Sequence, residues 1–436
     1  MKKTIFVVLT LIVFFVVMPA CAAKLEGDYN KIHWQFKNGI LSFTGSGTIT
    51  DEGPWEALES KVRGLEFSGT NLHINFLSGK YKKLQTIHFG KGSKYVSGFS
   101  ELSSKKIKLI IDEDKIKLED VGINRGCITD IVLGEEIDSM VIEGNILYDK
   151  SKSKVILCFG SQKSNVIIPD SVKTICRNAF KASYVTGIHL PQGLMEIKDG
   201  AFADCKNLTS ITIPESISLM GQNLFIGCEK LKAINFVNTD MTNMSLKSED
   251  YYSSLSSLGE LVIPNYGDIT KIHSADNKLL KYIIVSEGNT EVSLYNLNSE
   301  TKSNLIGIYI PDSIKKISGY GNNKTSGVVL YVTEGSFGQD YGRRNGIVCK
   351  IITPIKSIEL SEKEIELKLK GRKSLQAKII PENATAKKLS WFSSNDLVAV
   401  VAEGKVTAIG EGECDIYCRG LDCGLVTTKC HVVVTK

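Results

Sequence analysis

The stretch LTSITIPESISLMGQNLFIGC, from Leu208 to Cys228, decides the fold because two similar stretches precede it. They are VIIPDSVKTICRNAF from Val166 and IHLPQGLMEIKDGAF from Ile188. Each copy carries a proline after its apolar run, at intervals of 22 and 23 residues: Pro169, Pro191 and Pro214. A unit of this length holds one strand and a return segment, which together are too short to bury their own apolar face. The sequence therefore predicts a solenoid of stacked repeats.

Each position of the repeat has a physical role. Ile211 and Ile213 flank Thr212, and this alternation is the period of a half-buried strand. Pro214 ends the strand because proline cannot donate a hydrogen bond to a neighbouring strand. The apolar residues of the return path are predicted to turn inward: Ile217, Met220, Phe225 and Cys228. Cys205 holds the same position one repeat earlier, which favours buried thiols over a disulfide at this position.

Outside the three clear copies the repeat is less regular. Upstream, two strands are followed by glycine in the proline position, and they begin at Thr86 and Asp130. Between residues 143 and 165, two alternating apolar runs flank a Lys/Ser turn, which predicts a hairpin. Pro264 and Pro311 lie 47 residues apart, close to two periods. The Ser-rich segment 238–257 is predicted to be a loop that projects from the solenoid.

The pattern I-x-I-P-x-x-V/I-x-x-I-x-x-x-A-F-x-x-C-x-x-L resembles the BspA-like leucine-rich repeats of bacterial surface proteins. The segment from His33 to Leu58 is similar to the N-terminal cap of that family. The segment from Val328 to Ile351 is similar to its closing unit, a strand, a short helix starting near Ser336 and a last strand. Caps are expected because an open solenoid end exposes core and strand edge. The resemblance implies a mainly β fold: an irregular leucine-rich-repeat solenoid with N- and C-terminal caps.

A second domain is predicted after Thr353, where the repeat disappears. Short alternating runs separated by Gly, Pro and Asn predict a small β-sandwich. This segment is similar to the group 2 bacterial immunoglobulin-like domain of invasin- and intimin-type surface proteins, at positions that include Gly371, Pro381 and Trp391. The resemblance implies a spacer or adhesion module that has Trp391 as a core aromatic residue.

The N-terminus predicts the compartment. Lys2 and Lys3 precede an apolar run that ends in small residues, which is the pattern of a secretory signal peptide over residues 1–22. Two processing routes stay open: cleavage near Ala22, or lipidation of Cys21 after cleavage at Ala20. The expected location is the cell surface or the outer membrane, with a secreted or periplasmic protein as the alternative. The apolar run is too short for a stable membrane-spanning helix.

The C-terminal cysteines leave three interpretations open. The cluster consists of Cys414, Cys418, Cys423 and Cys430, with His431 beside the last. Core thiols are favoured, because strand alternation explains the spacing. If the hairpin turns near Asp422, Cys414 and Cys430 face each other and form a candidate disulfide. A metal site is the least favoured interpretation, because the paired C-x2-C motifs of structural zinc sites are absent.

Charge and motifs argue against several function classes. Removal of Lys2 and Lys3 with the signal lowers the formal net charge from +5 to +3, and no basic run with interleaved aromatic residues is present. Neither a nucleic-acid partner nor an anionic membrane surface is therefore expected. The sequence lacks G-x-S-x-G, H-E-x-x-H, Walker-type and EF-hand motifs. We therefore expect no enzyme, no catalytic or metal-binding residues and no cofactor.

Surface recognition is the remaining function. The strand register predicts one outward column on the solenoid: His88, Val132, Ile167, His189, Thr212, Asn235, Val262 and Tyr309. Its mixture of apolar, aromatic and polar groups favours an exported, adhesin-like protein that binds a host or microbial protein. The alternative is a glycan-binding accessory protein that captures polysaccharide for a separate enzyme system. The predicted domains are a signal peptide (1–22), the solenoid with its caps (24–352) and the immunoglobulin-like domain (354–436).

Overall fold

The computed structural model describes most of the chain from residue 25 onward. The described residues are 25–50, 53–76, 81–93, 95–98, 106–116, 118, 127–160, 164–238, 240, 242, 245–246, 258–265, 279–294, 304–319 and 327–436. The predicted signal peptide and Cys21 lie outside the described residues. Within the described ranges, none of the helices combines the length and the apolar character needed to cross a membrane.

The solenoid begins with a capping sheet. Its strands are β1 (Glu26–Tyr29), β2 (Ile32–Lys37), β3 (Ile40–Thr50), β4 (Gly64–Phe76), β5 (Thr86–Phe89), β6 (Tyr95–Gly98), β7 (Ile107–Ile111) and β8 (Ile128–Leu133). A 3-10 helix at Glu56–Lys61 precedes β4. Strands β1 to β3 pair antiparallel, and parallel pairing starts at β3–β4. Trp34 and Trp55 are fully buried beneath the sheet, their ring centroids 6.0 Å apart, so aromatic side chains close this end of the core.

The predicted hairpin lies between two apolar cores. Strand β9 (Met140–Glu143) pairs with β10 (Ile146–Asp149), and β10 pairs antiparallel with β11 (Lys154–Cys158). The hairpin is therefore confirmed. Its side chains alternate: Leu147 and Leu157 belong to the N-terminal core, whereas Tyr148 and Val155 belong to the core of the following repeats. Period-2 alternation thus lets one hairpin serve as the wall between two parts of the solenoid.

The strands of the following repeats pair parallel, in two short sheets of long strands and one longer sheet of two-residue strands. Their strands are β12 (Ser164–Ile167), β13 (Thr174–Ile175), β14 (Val185–His189), β15 (Glu196–Ile197), β16 (Ser210–Ile213), β17 (Leu219–Met220), β18 (Ala233–Phe236) and β19 (Ser245–Leu246). The longer strands form one side of the solenoid, and the two-residue strands β13, β15, β17 and β19 continue a second sheet from β11. Ile211, Ile213, Met220 and Phe225 are buried as predicted. Phe180, Phe202 and Phe225 stack with centroids 5.5 and 5.6 Å apart.

The segment 238–257 differs from the predicted projecting loop at one place. Ser245–Leu246 pairs parallel with β17, so this part extends the second sheet. A two-residue strand needs only one adjacent strand edge to satisfy its backbone groups, and β17 offers that edge. Most of the remaining insertion lies outside the described residues.

The C-terminal part of the solenoid ends in the predicted closing unit. Its elements are β20 (Glu260–Ile263), β21 (Tyr282–Val285), β22 (Glu291–Ser293), β23 (Gly307–Tyr309), β24 (Lys316–Ser318), β25 (Val329–Val332), α1 (Phe337–Arg344) and β26 (Val348–Ile351). Strand β21 fills the two-period interval between Pro264 and Pro311. The Ser336 side chain accepts a hydrogen bond from the backbone N–H of Gln339, which caps α1 at its N-terminus. The strand, helix and strand of the closing unit are thus confirmed.

The C-terminal domain consists of small β-sheets. Its strands are β27 (Ser357–Leu360), β28 (Glu364–Lys368), β29 (Arg372–Ser374), β30 (Ala377–Ile380), β31 (Leu389–Ser393), β32 (Ala399–Ala402), β33 (Lys405–Ala408), β34 (Gly412–Gly420) and β35 (Thr427–Thr435). The sheets have the orders β28-β35-β34-β31, β29-β33-β32 and β27-β30. Trp391, the expected core aromatic residue, is partly buried and packs against both apolar clusters of the domain.

The register of β34 and β35 corrects the expected cysteine geometry. Cys414 lies opposite Val432, and Cys430 lies opposite Ile416. The strands pair symmetrically about Cys423, whereas a pairing of Cys414 with Cys430 needs the turn to be centred on Asp422. Moving the centre of the turn by one residue shifts the paired positions by two residues. Both thiols are buried and free. The two cysteines therefore do not face each other, and the core-thiol interpretation fits this arrangement.

Candidate binding face

The outward residues of the long strands form what we call the strand face. The register aligns Ile167 with His189, and Thr212 with Asn235. His88 and Val132 both align with a residue of β7, and Val262 and Tyr309 both align with a residue of β21. The eight predicted residues therefore occupy equivalent positions within four groups of paired strands, and their binding role stays a prediction.

Sequence reasoning missed three members of the same column. Ile110 lies between His88 and Val132, Ile284 lies between Val262 and Tyr309, and Tyr331 follows Tyr309. The signal for Ile110 was the alternation in IKLII, which no proline or glycine follows. The signal for Ile284 was its spacing of 22 residues from Val262. Both strands therefore follow the repeat although they lack its punctuating residue.

The N-terminal part of the strand face is open. Val132 and Ile167 are 37% and 61% exposed. His88 lies between two carboxylates, with Nε2 2.6 Å from Asp112 Oδ2 and Nδ1 4.0 Å from Glu66 Oε1. Acidic groups thus hold the imidazole in place beside exposed aliphatic side chains. We call the stretch from His88 to Ile167 the open half.

The stretch from His189 to Tyr309 lies under the C-terminal domain, and we call it the covered half. The loop after β31 makes three contacts with it. His189 Nδ1 lies 3.1 Å from the carbonyl oxygen of Ser394, and Thr212 Oγ1 donates to the carbonyl oxygen of Ser393 at 2.9 Å. Ser210 Oγ lies 3.4 Å from a carboxylate oxygen of Asp396. Burial lowers the pKa of His189 and raises the pKa of Asp396.

Arg419 of β34 makes the second contact with the covered half. Its guanidinium donates to the carbonyl oxygen of Phe236, at the end of β18, and lies 3.4 Å from the carbonyl oxygen of Val237. Its Nε donates to Thr427 Oγ1 at 2.8 Å, and its Cζ lies 5.0 Å from the ring centroid of Phe392. Burial lowers the pKa of Arg419 to about 10. The Arg419 guanidinium is thus removed from water, and its hydrogen bonds go to neutral oxygen atoms.

The turn between β34 and β35 makes the third contact, and it is apolar. Leu421 and Leu425 form a cluster with Ile284, against which Val262 and Tyr309 also pack. The backbone N–H of Glu287 donates to the carbonyl oxygen of Cys423 at 3.0 Å. Beside this cluster, the Lys388 ammonium group pairs with Glu260 and lies 5.9 Å from the ring centroid of Tyr282. Residues of the predicted column therefore contact the chain's own second domain.

Three tyrosines form a cluster at the C-terminal end of the strand face. The ring of Tyr309 stacks on that of Tyr331 at 4.4 Å, and Tyr282 lies 6.2 Å from Tyr309 and 6.4 Å from Tyr331. Lys350 Nζ lies 5.7 Å from the ring centroid of Tyr331. Burial, together with the neighbouring tyrosines, raises the pKa of Tyr309 to about 12. Of these three tyrosines, the sequence pattern assigned only Tyr309 to the outward column.

No metal centre emerges from the described ranges: they contain no group of three or more His, Cys, Asp or Glu side chains able to hold a metal ion. His431, which the sequence placed on the outer face, is partly exposed. Its Nδ1 lies 3.0 Å from Asp415 Oδ1, and its Nε2 lies 3.6 Å from Glu413 Oε2. These contacts connect β35 with β34 across the sheet.

The comparisons with known proteins find similarity in the repeat region. The family model for BspA type leucine-rich repeat regions matches residues 157–276 with six copies. A leucine-rich repeat protein from Eubacterium ventriosum is 18% identical over 66% of this chain and 91% of its own, with a TM-score of 0.43. The pneumococcal vaccine antigen PcpA is 15% identical over 75% of this chain and 98% of its own, with a TM-score of 0.37. A leucine-rich repeat protein from Bacteroides ovatus is 13% identical over 75% of this chain and 100% of its own, with a TM-score of 0.38.

No curated protein sequence matches the chain significantly. The matched segment begins within β11 and contains the three clear copies of the repeat. Its buried positions are those that the sequence pattern assigned to the core, including Phe180, Phe202 and Cys205. The repeats of residues 157–276 therefore belong to the BspA type leucine-rich repeats.

Proposed function

We propose that this protein is an exported, cell-surface-associated, adhesin-like binding protein, which recognises a host or microbial protein through its strand face. The observation that carries the proposal is the exposure of Val132 and Ile167 in an otherwise mixed column. Aliphatic anchors beside a histidine and several carboxylates suit a protein partner, because protein interfaces combine an apolar centre with a polar rim. The BspA type repeats and the predicted signal peptide support export and surface association.

We propose no catalytic role for this site. Among the described residues, the cavity of about 780 Å³ at Ile167 lies between the strand face and the C-terminal domain and is open to solvent, so water is not excluded from it. General acid–base or nucleophilic chemistry gains most of its rate from enclosed, preorganised groups. The Ile167 side chain, which is 61% exposed, illustrates the difference, since it can anchor a partner but contributes no reactive group.

The test is binding to an array of host and microbial surface proteins. We would compare the wild-type chain, from residue 25 onward, with the double variant Val132→Glu/Ile167→Glu. We expect the double variant to lose binding by about tenfold or more, because each charge must be desolvated at the interface. The matched control is Met195→Glu, because Met195 is 52% exposed and precedes β15 in the second sheet. Equal loss in the control, or full binding by the double variant, would contradict the proposal.

Polysaccharide capture is the second candidate, and the tyrosine cluster is the observation that favours it. Sugars stack on aromatic rings, and the stacked pair of Tyr309 and Tyr331, with Lys350 nearby, would receive a sugar once the C-terminal domain moves off Tyr309. A glycan array would be probed with the wild-type chain and with Tyr331→Ala. Glycan binding that Tyr331→Ala removes and Tyr184→Ala retains would favour this function over protein recognition. Tyr184 is the control because it is exposed outside the cluster.

A further inference from the structure

The C-terminal domain touches the covered half at points that span several turns of the solenoid. The loop after β31 reaches His189 and Thr212, Arg419 reaches the end of β18, and the β34–β35 turn reaches Ile284. Five strands in succession, β14, β16, β18, β20 and β21, are thus contacted by one domain. Contacts of this number and variety indicate a fitted surface, because hydrogen bonds, an apolar cluster and a cation each need a matching group.

Leu425 gives an independent sign that the β34–β35 turn is built for docking. Its φ is +43°, in the left-handed region that residues with a Cβ rarely adopt. Turns of this kind normally carry glycine, asparagine or aspartate. A leucine there gains stability only if its side chain is buried, and Leu425 is 2% exposed in the cluster with Ile284. The turn therefore places an apolar side chain at its contact with Ile284 of the solenoid.

The connection between the two domains has a defined junction. The N–H of Ile352 donates to Val332 at the end of β25, so Ile352 still belongs to the solenoid. The N–H of Thr353 donates to Thr385 Oγ1, and its carbonyl oxygen accepts from the N–H of Thr385. Backbone bonding thus changes from one domain to the other between consecutive residues. Rotation at this junction separates the domains without breaking a hydrogen bond of either one.

The docked surface also contains groups that burial makes costly. Arg419 donates its hydrogen bonds to neutral oxygen atoms, and burial lowers its pKa to about 10. Burial likewise lowers the pKa of His189 and raises that of Asp396. Each of these charges is better solvated when the domains are apart. The favourable apolar contact at Ile284 is therefore opposed by a desolvation cost.

We propose that the C-terminal domain is a reversible lid on the strand face, docked on the covered half and able to swing away at the Ile352–Thr353 junction. Its biological meaning rests on the proposed function, since a ligand of the covered half must displace this domain whereas a ligand of the open half need not. The docking itself does not depend on any ligand.

The experiment is hydrogen exchange of the full chain from residue 25 onward, read by mass spectrometry without ligand. Two variants open the lid from opposite sides. Ile284→Asp places a carboxylate in the apolar cluster near Asp422. Leu425→Asn removes the apolar side chain and gives the turn a residue that tolerates its positive φ, so it does not strain the domain. The matched control is Ile110→Asp, at the equivalent outward position of the open half.

In both opening variants we expect the amide of Glu287, whose hydrogen bond to the carbonyl oxygen of Cys423 crosses between the domains, to exchange about tenfold faster or more, while the amides of β16 keep their wild-type rate. The control should exchange as the wild type does. Wild-type rates in Leu425→Asn would overturn the lid, as would wild-type protein in which the Glu287 amide exchanges without protection. Because no ligand is present, this failure is separate from a failure of the array experiment.

Discussion

At the scale of single residues, the cysteines show how a repeat position sets chemistry. Cys205 Sγ and Cys228 Sγ each donate to the carbonyl oxygen of a phenylalanine one repeat earlier, Phe180 and Phe202, at 3.1 Å. The thiol therefore satisfies a backbone acceptor in the turn and fills a small space in the core. The hydrogen bond with the neighbouring Cys205, together with burial, raises the pKa of Cys228, so this thiol stays protonated at neutral pH.

Cys349 is the described cysteine that we expect to react first. Nine described cysteines are buried, and Cys349 alone among the ten is partly exposed. Burial raises the pKa of Cys423 to about 12 and that of Cys414 to about 11, so their thiolates are scarce as well as inaccessible. Dilute iodoacetamide at pH 8 should alkylate Cys349 about tenfold faster than the other described cysteines. Peptide mass spectrometry measures the order, and Cys349→Ser should remove the early label.

This order also tests the predicted disulfide. If Cys414 and Cys430 were joined, neither would alkylate even after unfolding unless a reductant were added. We expect both to alkylate in urea without reductant, because their register places them two residues out of alignment. Labelling of the unfolded chain only after reduction would contradict the free-thiol arrangement.

At the scale of the element, the phenylalanine stack holds successive repeats together. Phe202 lies in the middle, with rings on both sides at 5.5 and 5.6 Å. Phe202→Ala should lower the free energy of unfolding by about 3–5 kcal/mol, because it removes two stacking contacts and leaves a cavity. Urea titration followed by circular dichroism measures the change.

The neighbouring Ile226 provides the control for this prediction. Its side chain is 42% exposed, so Ile226→Ala should change the free energy of unfolding by about 0.5 kcal/mol or less. If Phe202→Ala and Ile226→Ala were equally stable, the stack would not be a source of stability between repeats.

The β10–β11 hairpin depends on one carboxylate. Asp149 accepts hydrogen bonds from Ser151, Ser153 and the backbone N–H of Lys154, each at 2.7 Å. Burial raises its pKa, but these hydrogen bonds together outweigh burial, so the pKa lies below its ordinary value of 3.8. An acid with a lowered pKa contributes stability above its unfolded pKa and loses it as the pH falls through the folded value.

Asp149→Asn should therefore destabilise the protein by about 1–3 kcal/mol at pH 7, because one acceptor oxygen becomes a donor facing the same N–H and O–H groups. The difference from wild type should shrink as the pH falls below 3.8. Urea midpoints at pH 7 and pH 3 measure it. Asp138→Asn is the control, since the Asp138 side chain is 81% exposed and should show little change at either pH. A constant difference across pH would contradict the role of the ionised carboxylate.

At the scale of the whole molecule, domain docking should depend on pH through His189. Burial lowers the pKa of His189, against the opposing effects of the Ser394 carbonyl and Asp170. A base with a lowered pKa leaves docking intact above its ordinary value of 6.5 and weakens it as the pH falls from 6.5 toward the docked value. Asp396 acts in the opposite direction, because its raised pKa favours docking as it gains a proton at more acidic pH.

We therefore expect the Glu287 amide, whose hydrogen bond to Cys423 joins the domains, to exchange faster at pH 6 than at pH 7.5, after correction for the intrinsic rate. His189→Gln should remove this pH dependence while it retains a polar side chain beside Ser394. The comparison of variant with wild type isolates the histidine, since Asp396 is present in both. An equal pH dependence in the two proteins would rule out His189 as its source.

Much of the solenoid follows from local pattern. Alternation at Ile211 and Ile213, with Pro214 after them, predicted strands, inward residues and register, because these depend on neighbours one turn away. The same reasoning missed Ile110 and Ile284, whose strands lack a following proline or glycine. It also misplaced the centre of the β34–β35 turn by one residue, because the turn residues alone do not fix the register of two long strands.

The sequence by itself determined the repeating unit, the solenoid and the outward column, since each needs only the period of hydrophobic residues and the rule that stacked units bury a shared face. Only the tertiary structure decided that part of this column is covered. The contacts of His189, Thr212 and Ile284 join residues about 130 to 200 positions apart in the chain. Such contacts depend on how two separately folded surfaces fit, and no local periodicity records that fit.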